Sequence, residues 1–141
     1  MAESTLKTIN LIIDSDLEQV ELMDSCVNKL TQIFLNDAHK AYDVELACVE
    51  AINNCIKHAY NNLPNNEVKL TFSAYNDRLE IMVIDKGISL PNLKLDVALE
   101  FDPSDLENLP DGGMGLFLIQ QIMDKVSYNV KDNTNTLSMI K

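Results

Sequence analysis

Glu50, Asn54 and His58 recur every fourth residue in a segment of helical character, which puts all three on one helical face. A carboxamide oxygen in such a row can hold Mg²⁺, an ion that prefers oxygen ligands and combines few protein ligands with substrate phosphates. A carboxylate one turn away can take a proton from an attacking hydroxyl. The same row also reads as three polar residues on a helix surface. Asp85 closes the alternating run Leu79, Ile81, Val83 and points to their apolar side, where an acid needs a donor. The exocyclic amino group of adenine is one such donor, and Gly87, lacking Cβ, lets a flat base approach the backbone. A turn acid that caps a local N–H is the alternative. Gly112-Gly113-Met114-Gly115-Leu116 leads into another amphipathic segment. Glycines there let backbone N–H groups turn toward an anion, and a helix N-terminus favours negative charge. A loop ending at a helix start is the plainer reading. The cluster is neither a Walker A loop nor a Rossmann turn.

The elements that must position these residues follow from periodicity. Ile9, Leu11 and Ile13 alternate in a strand predicted over 6–14. Ser15 or Asp16 can cap a helix running to about Phe34, with Val20, Met23, Val27, Leu30 and Phe34 as its buried stripe. A polar connector from Asn36 to Tyr42 precedes a second helix, about Val44 to Asn61, whose buried stripe includes Ala47, Ala51 and Cys55. Alternation then predicts a hairpin: Val68 to Ala74, a turn at Asn76-Asp77, and Leu79 to Val83. Periodicity is poor from 87 to 113, a long loop of the kind that serves function or moves. It returns in a helix from Leu116 to about Asp124. Two strands close the chain, Val126–Val130 and Thr136–Ile140, joined by Lys131–Asn135. The expected architecture is α+β: a two-layer sandwich with a mostly antiparallel sheet carrying helices on one face.

The 141 residues fit one domain with a real core. Eleven basic against twenty-two acidic residues give a net charge of −11. Such a surface repels nucleic acid and anionic membrane, and plain solubility is its simplest reading. No apolar run approaches the ~20 residues of a membrane span. The start, Met1-Ala2-Glu3-Ser4-Thr5, shows no basic-then-apolar leader. Three cysteines, Cys26, Cys48 and Cys55, are an odd number without paired spacing, which fits free thiols in a reducing cytoplasm. Cys48 and Cys55 read as small core residues. Two histidines and no Cys-x-x-Cys argue against zinc.

The order of the three stretches carries a resemblance. Glu50-Ala51-x-x-Asn54-x-x-x-His58-Ala59-Tyr60 resembles the N-box of the anti-sigma-factor serine/threonine kinases, members of the GHKL (Bergerat-fold) superfamily of gyrase, Hsp90, histidine kinases and MutL. Asp85-Lys86-Gly87 resembles the first glycine box. Gly112-Gly113-Met114-Gly115-Leu116-Phe117-Leu118-Ile119 resembles the second, and Met123-Asp124-Lys125-Val126 its usual continuation. The similarity covers nearly the whole chain.

This resemblance implies Glu50 as the general base for a protein hydroxyl and Asn54 as the Mg²⁺ ligand. It implies Asp85 as the partner of the adenine amino group. Gly113 and Gly115 would hold ATP phosphates through the backbone, with Met114 and Leu116 between and beside them. His58 and Gly87 complete the nucleotide-binding set, and Thr136 matches a threonine that supports adenine through water. Residues 87–113 would form the lid over ATP. The implied partners are a small antagonist protein of the anti-anti-sigma type as substrate, a sigma factor or equivalent as target, and a second copy of the chain. Three departures stand out. Ser89 replaces the second glycine of the first box. Asn135 replaces the glycine common before Thr136, where Asn tolerates a left-handed turn. The lid has no arginine, and Lys94 is its one cation. Phosphoryl transfer depends on electrostatic stabilisation, so this lack keeps a second reading open: a partner-switch module that binds nucleotide with little or no turnover. Lys57 and Lys86 are candidates to compensate. An isolated histidine-kinase catalytic domain is a third, weaker reading, because no helix bearing an acceptor histidine precedes the boxes.

Overall fold

Apolar side chains at every second position give this chain its sheet. A computed structural model describes residues 7–89 and 113–141. The strands are β1 (Lys7–Asp14), β2 (Glu67–Ala74), β3 (Leu79–Asp85), β4 (Lys125–Lys131) and β5 (Thr134–Ile140). They form one sheet in the order β1-β2-β3-β5-β4, antiparallel at every pairing. Val68, Leu70 and Phe72 of β2 and Leu79, Ile81 and Val83 of β3 point to one side and are buried there. The helices cover that side, so the core lies between the two layers. The sheet is thus wholly antiparallel in an α+β sandwich.

Helix α1 (Leu17–Leu35) starts at Asp16, whose side chain accepts from the Glu18 N–H at 3.0 Å. It ends at Asn36 in the left-handed region, φ 51°, with the Asn36 N–H donating to the Gln32 carbonyl at 2.9 Å. Helix α2 (Ala38–Asn54) begins at once. Asp37 caps it, accepting from the N–H groups of His39 and Lys40 at 3.0 and 3.1 Å. The connector expected from Asn36 to Tyr42 is therefore two residues long. Its polar composition is that of an end cap and a start cap placed back to back. Val20, Met23 and Val27 of α1 pack with Val44, Ala47, Cys48 and Ile52 of α2.

The α-helix stops at Asn54, short of the expected Asn61. A π-turn, Cys55–Ala59, carries it on, with the Tyr60 N–H donating to the Cys55 carbonyl five residues back at 3.0 Å. Helix α3 (Gly113–Ile122) includes Gly113 and Gly115 in its first turn, so these two glycines are helical and the helix begins before the expected Leu116. β4 and β5 are joined by Asp132 and Asn133 at φ 51° and 61°. Two positive φ values make the type I′ hairpin turn, which matches the twist of the strands. The expected five-residue connection is thus a two-residue one, and Asn135 lies in β5.

Candidate functional site

The site forms where the C-terminal end of α2, the end of β3 and the start of α3 meet. Asn54, at the last turn of α2, and Leu116, in the first turns of α3, line a cleft. Its other walls are Ala51, Cys55, Ala59, Val83, Asp85, Tyr128 and Leu137. An apolar cleft with a few polar groups is the usual form of a small-molecule site.

Glu50 and Asn54 are half-buried and flank the first turn of α3. A β-carbon on Gly115 would stand 2.7 Å from Glu50 Oε2 and 3.6 Å from Asn54 Nδ2. The bare backbone of α3 thus lies directly against the carboxylate and the carboxamide. The first and third of the sequence stretches meet here, at the end of a helix where backbone N–H groups lack intrahelical partners.

Asp85 is the last residue of β3 and is buried. Its Oδ1 accepts from the Gly87 N–H at 2.9 Å and from Asn135 Nδ2 at 2.7 Å. Its Oδ2 accepts from the Cys55 thiol at 3.3 Å, a weak donor. Burial, and after it the charge of Asp85 and this hydrogen bond, push the Cys55 thiol well above its ordinary range, so it remains S–H. Asp85 thus caps the local turn through Oδ1 and is also one of the residues that line the cleft.

Gly87 sits tightly against the end of the π-turn. A β-carbon there would run into the Ala59 carbonyl, which accepts from the Ile88 N–H at 2.8 Å. Its missing side chain admits the backbone of the π-turn. Tyr60 ties the same joint: its hydroxyl accepts from the Lys86 N–H at 2.8 Å and donates to the Glu67 carbonyl at 2.6 Å. Burial raises the phenol above its ordinary range.

His58 and Thr136 stand apart from this cleft. The π-turn widens the backbone between Asn54 and His58, so the four-residue row on one face ends at Asn54, and His58 is not among the cleft's lining residues. Thr136 pairs with Ile84 and alternates with Asn135 and Leu137, so it faces the opposite side of the sheet. Asn135 takes the inward place. Gly113 and Met114 open α3. Lys57 and Lys86 are exposed and line none of the cleft. Residues 90–112, with Lys94 and most of the expected lid, lie outside the described residues.

Cys55, Tyr128, Leu137 and Asn135 are contributions that sequence reasoning missed. Leu137, partly buried against the core, lies within the strand expected over 136–140. Tyr128 needed the β4–β5 register, and Asn135 needed the correct turn.

The sequence model of the histidine kinase-like ATPase domain matches residues 13–141. The chain belongs to the histidine kinase-like ATPase family. Among curated relatives, the serine-protein kinase RsbW of Oceanobacillus iheyensis is 39% identical over 89 residues, 62% of this chain and 56% of that protein. The serine-protein kinase RsbW of Bacillus cereus is 39% identical over 101 residues, 70% of this chain and 62% of that protein. The match thus spans about three-fifths of these relatives' length. The fold is shared with the SiaB–SiaC complex of Pseudomonas aeruginosa, at TM-score 0.70 and 14% identity over 97% of this chain and 89% of that one. It is shared also with the RsbU and RsbW domains of a Mycobacterium tuberculosis protein, at TM-score 0.66 and 12% identity over 95% of this chain and 32% of that one. No described helix is long and apolar enough to cross a membrane.

Proposed function

We propose that this chain is an ATP-dependent serine/threonine protein kinase that acts by partner switching. In this reading it phosphorylates a small antagonist protein and, when the antagonist is modified, holds a sigma factor or equivalent target in the cytoplasm. The kinase names of its relatives support the reaction class. The observation that supports the reading is the close approach of Gly115, at the start of α3, to Glu50 and Asn54, beside a cleft that Asn54 and Leu116 line.

The residues present fit a Mg-nucleotide. Asn54 offers a hard carboxamide oxygen, Gly115 brings bare helix backbone beside it, and Asp85 lines the cleft with one oxygen held only by the weak thiol donor of Cys55. Asn54 would hold Mg²⁺, which supplies charge neutralisation at the phosphates. The first turn of α3 binds phosphate oxygens through backbone N–H groups. Asp85 accepts from the adenine amino group, with Val83, Leu137 and Tyr128 walling the base from water. Glu50 orients the incoming hydroxyl and removes its proton. Residues 87–113 cover the nucleotide as a lid, and two copies associate as a homodimer.

Glu50→Gln tests the reading directly. Phosphate transfer to a partner falls by roughly 10²–10⁴-fold, the usual share of a general base, while calorimetric ATP affinity stays within about twofold. Undiminished transfer would remove Glu50 from the base role. The alternative, a nucleotide-binding switch without turnover, is favoured by the exposure of Lys57 and Lys86 away from the cleft. A partner that gains one phosphate by mass on incubation with Mg-ATP rules that alternative out for the pair.

A further inference from the structure

Asn135 is buried at 1% exposure, and its carboxamide is engaged at three points. Nδ2 donates to Asp85 Oδ1 at 2.7 Å and to the Gly87 carbonyl at 3.0 Å. Oδ1 accepts from the Ser89 hydroxyl at 2.7 Å. Both N–H bonds are used, and the hydroxyl sits on the oxygen. The reverse orientation would set the amide oxygen against the Asp85 carboxylate and the Gly87 carbonyl, so this one is fixed by the network. The backbone supplies the placement: Asp85 and Asn135 are directly opposed in the β3–β5 pairing, on the cleft side of the sheet. Ser89 and Asn135, which stand out separately in the sequence, are thus one interacting pair.

The carboxylate of Asp85 has two oxygens with unlike surroundings. Oδ1 is saturated by Gly87 and Asn135. Oδ2 meets the thiol of Cys55, which lines the cleft together with Asp85. We propose that Asn135 is a positioning residue for base selection: its carboxamide, locked by Ser89, holds Asp85 so that Oδ2 alone is presented, as an acceptor for an exocyclic amino group. This rests on the reading of the cleft as an adenine-nucleotide site. Asn135 acts through Asp85 and needs no contact with the ligand. Without it, one N–H remains on Oδ1, the carboxylate is free to rotate, and the site loses its preference for a base that donates at that position over one that accepts.

The test compares Mg-ATP with Mg-ITP by titration calorimetry on the full chain, because the inosine base carries a carbonyl in place of the adenine amino group. The wild-type chain prefers ATP. Asn135→Ala lowers the ATP-to-ITP affinity ratio roughly tenfold, through weaker ATP binding with ITP little changed. Ser89→Ala removes only the outer bond and lowers the ratio by about two- to threefold. An equal loss of affinity for both nucleotides in Asn135→Ala is the mark of a purely structural role and overturns the proposal. So does an unchanged ratio in both variants. Should Asn135→Ala fail to fold, Ser89→Ala decides alone: a lowered ratio supports the proposal and an unchanged one overturns it. If the wild-type chain binds neither nucleotide, the adenine-site reading falls and takes base selection with it. If it selects ATP and the variants select equally well, only the role of Asn135 falls.

Discussion

Gly115 leaves a space that the Glu50 carboxylate occupies up to its edge. A methyl group there would stand 2.7 Å from Glu50 Oε2, closer than carbon and oxygen tolerate. The atom in the way is the end of a flexible side chain, so it moves and the backbone does not. Gly115→Ala therefore leaves the chain folded, with a melting temperature near that of the parent. Displacing a base by a fraction of an ångström to an ångström nevertheless costs rate heavily. Transfer to a partner is expected to fall by roughly tenfold or more in kcat, with less change in ATP affinity. Equal kcat in parent and variant would separate Glu50 from the chemistry. Gly87 is the opposite case, because the obstacle to a side chain there is the backbone of Ala59. Gly87→Ala must push the end of β3 away from the π-turn. It should lose about 1–3 kcal/mol in urea unfolding, the usual cost of overpacking.

Helices α1 and α2 meet over a group that burial treats badly. Asp24 Oδ1 is buried with no hydrogen-bond partner among the described residues. Burial first, then the charges of Glu45 on α2 and Glu21 on α1, raise its carboxyl from 3.8 to about 6. Asn28 Nδ2 donates to Glu45 Oε2 at 2.9 Å, which anchors the neighbouring acid in place. The folded chain holds this proton more tightly than the unfolded chain. The stability it contributes is complete below pH ~4 and is lost as pH rises through about 6. Asp24→Asn keeps the neutral form at every pH. The variant should be more stable than the parent at pH 8, by a few tenths to about 1 kcal/mol given the screening of a partly solvated charge. The gap should close toward pH 4. Denaturant midpoints across that range measure it, and a gap independent of pH would assign the effect to something other than this titration.

At the scale of the whole molecule, a ligand that bridges α2, β3 and α3 couples their stabilities. Mg-ATP should stabilise the chain against heat, by about 2.7 kcal/mol at a hundredfold excess over Kd. With Asn54 as the proposed Mg²⁺ ligand, removing the cation with a chelator should take back most of that gain. Scanning calorimetry with ATP alone and with Mg-ATP makes the comparison, and equal shifts would mean that the cation has no part in binding.

Residue order and spacing were enough to read the α+β sandwich, the strand alternation, the helical stripes and the Glu50–Asn54 pair one turn apart. These are short-range properties: period two buries one face of a strand, and four residues bring side chains together on a helix. The caps at Asn36 and Asp37 were present in the sequence but read as loop, because the same residue types serve both. The β4–β5 connection decided more. A turn of two residues in place of five moves Asn135 into the strand, and alternation then turns Asn135 inward and Thr136 outward. Only the tertiary structure could set Asn135 against Asp85, 50 positions earlier, press Gly87 onto Ala59, and lay Gly115 against Glu50. Those contacts depend on strand register and on where a π-turn ends a helix, and both are outcomes of packing the whole chain rather than of any local run of residues.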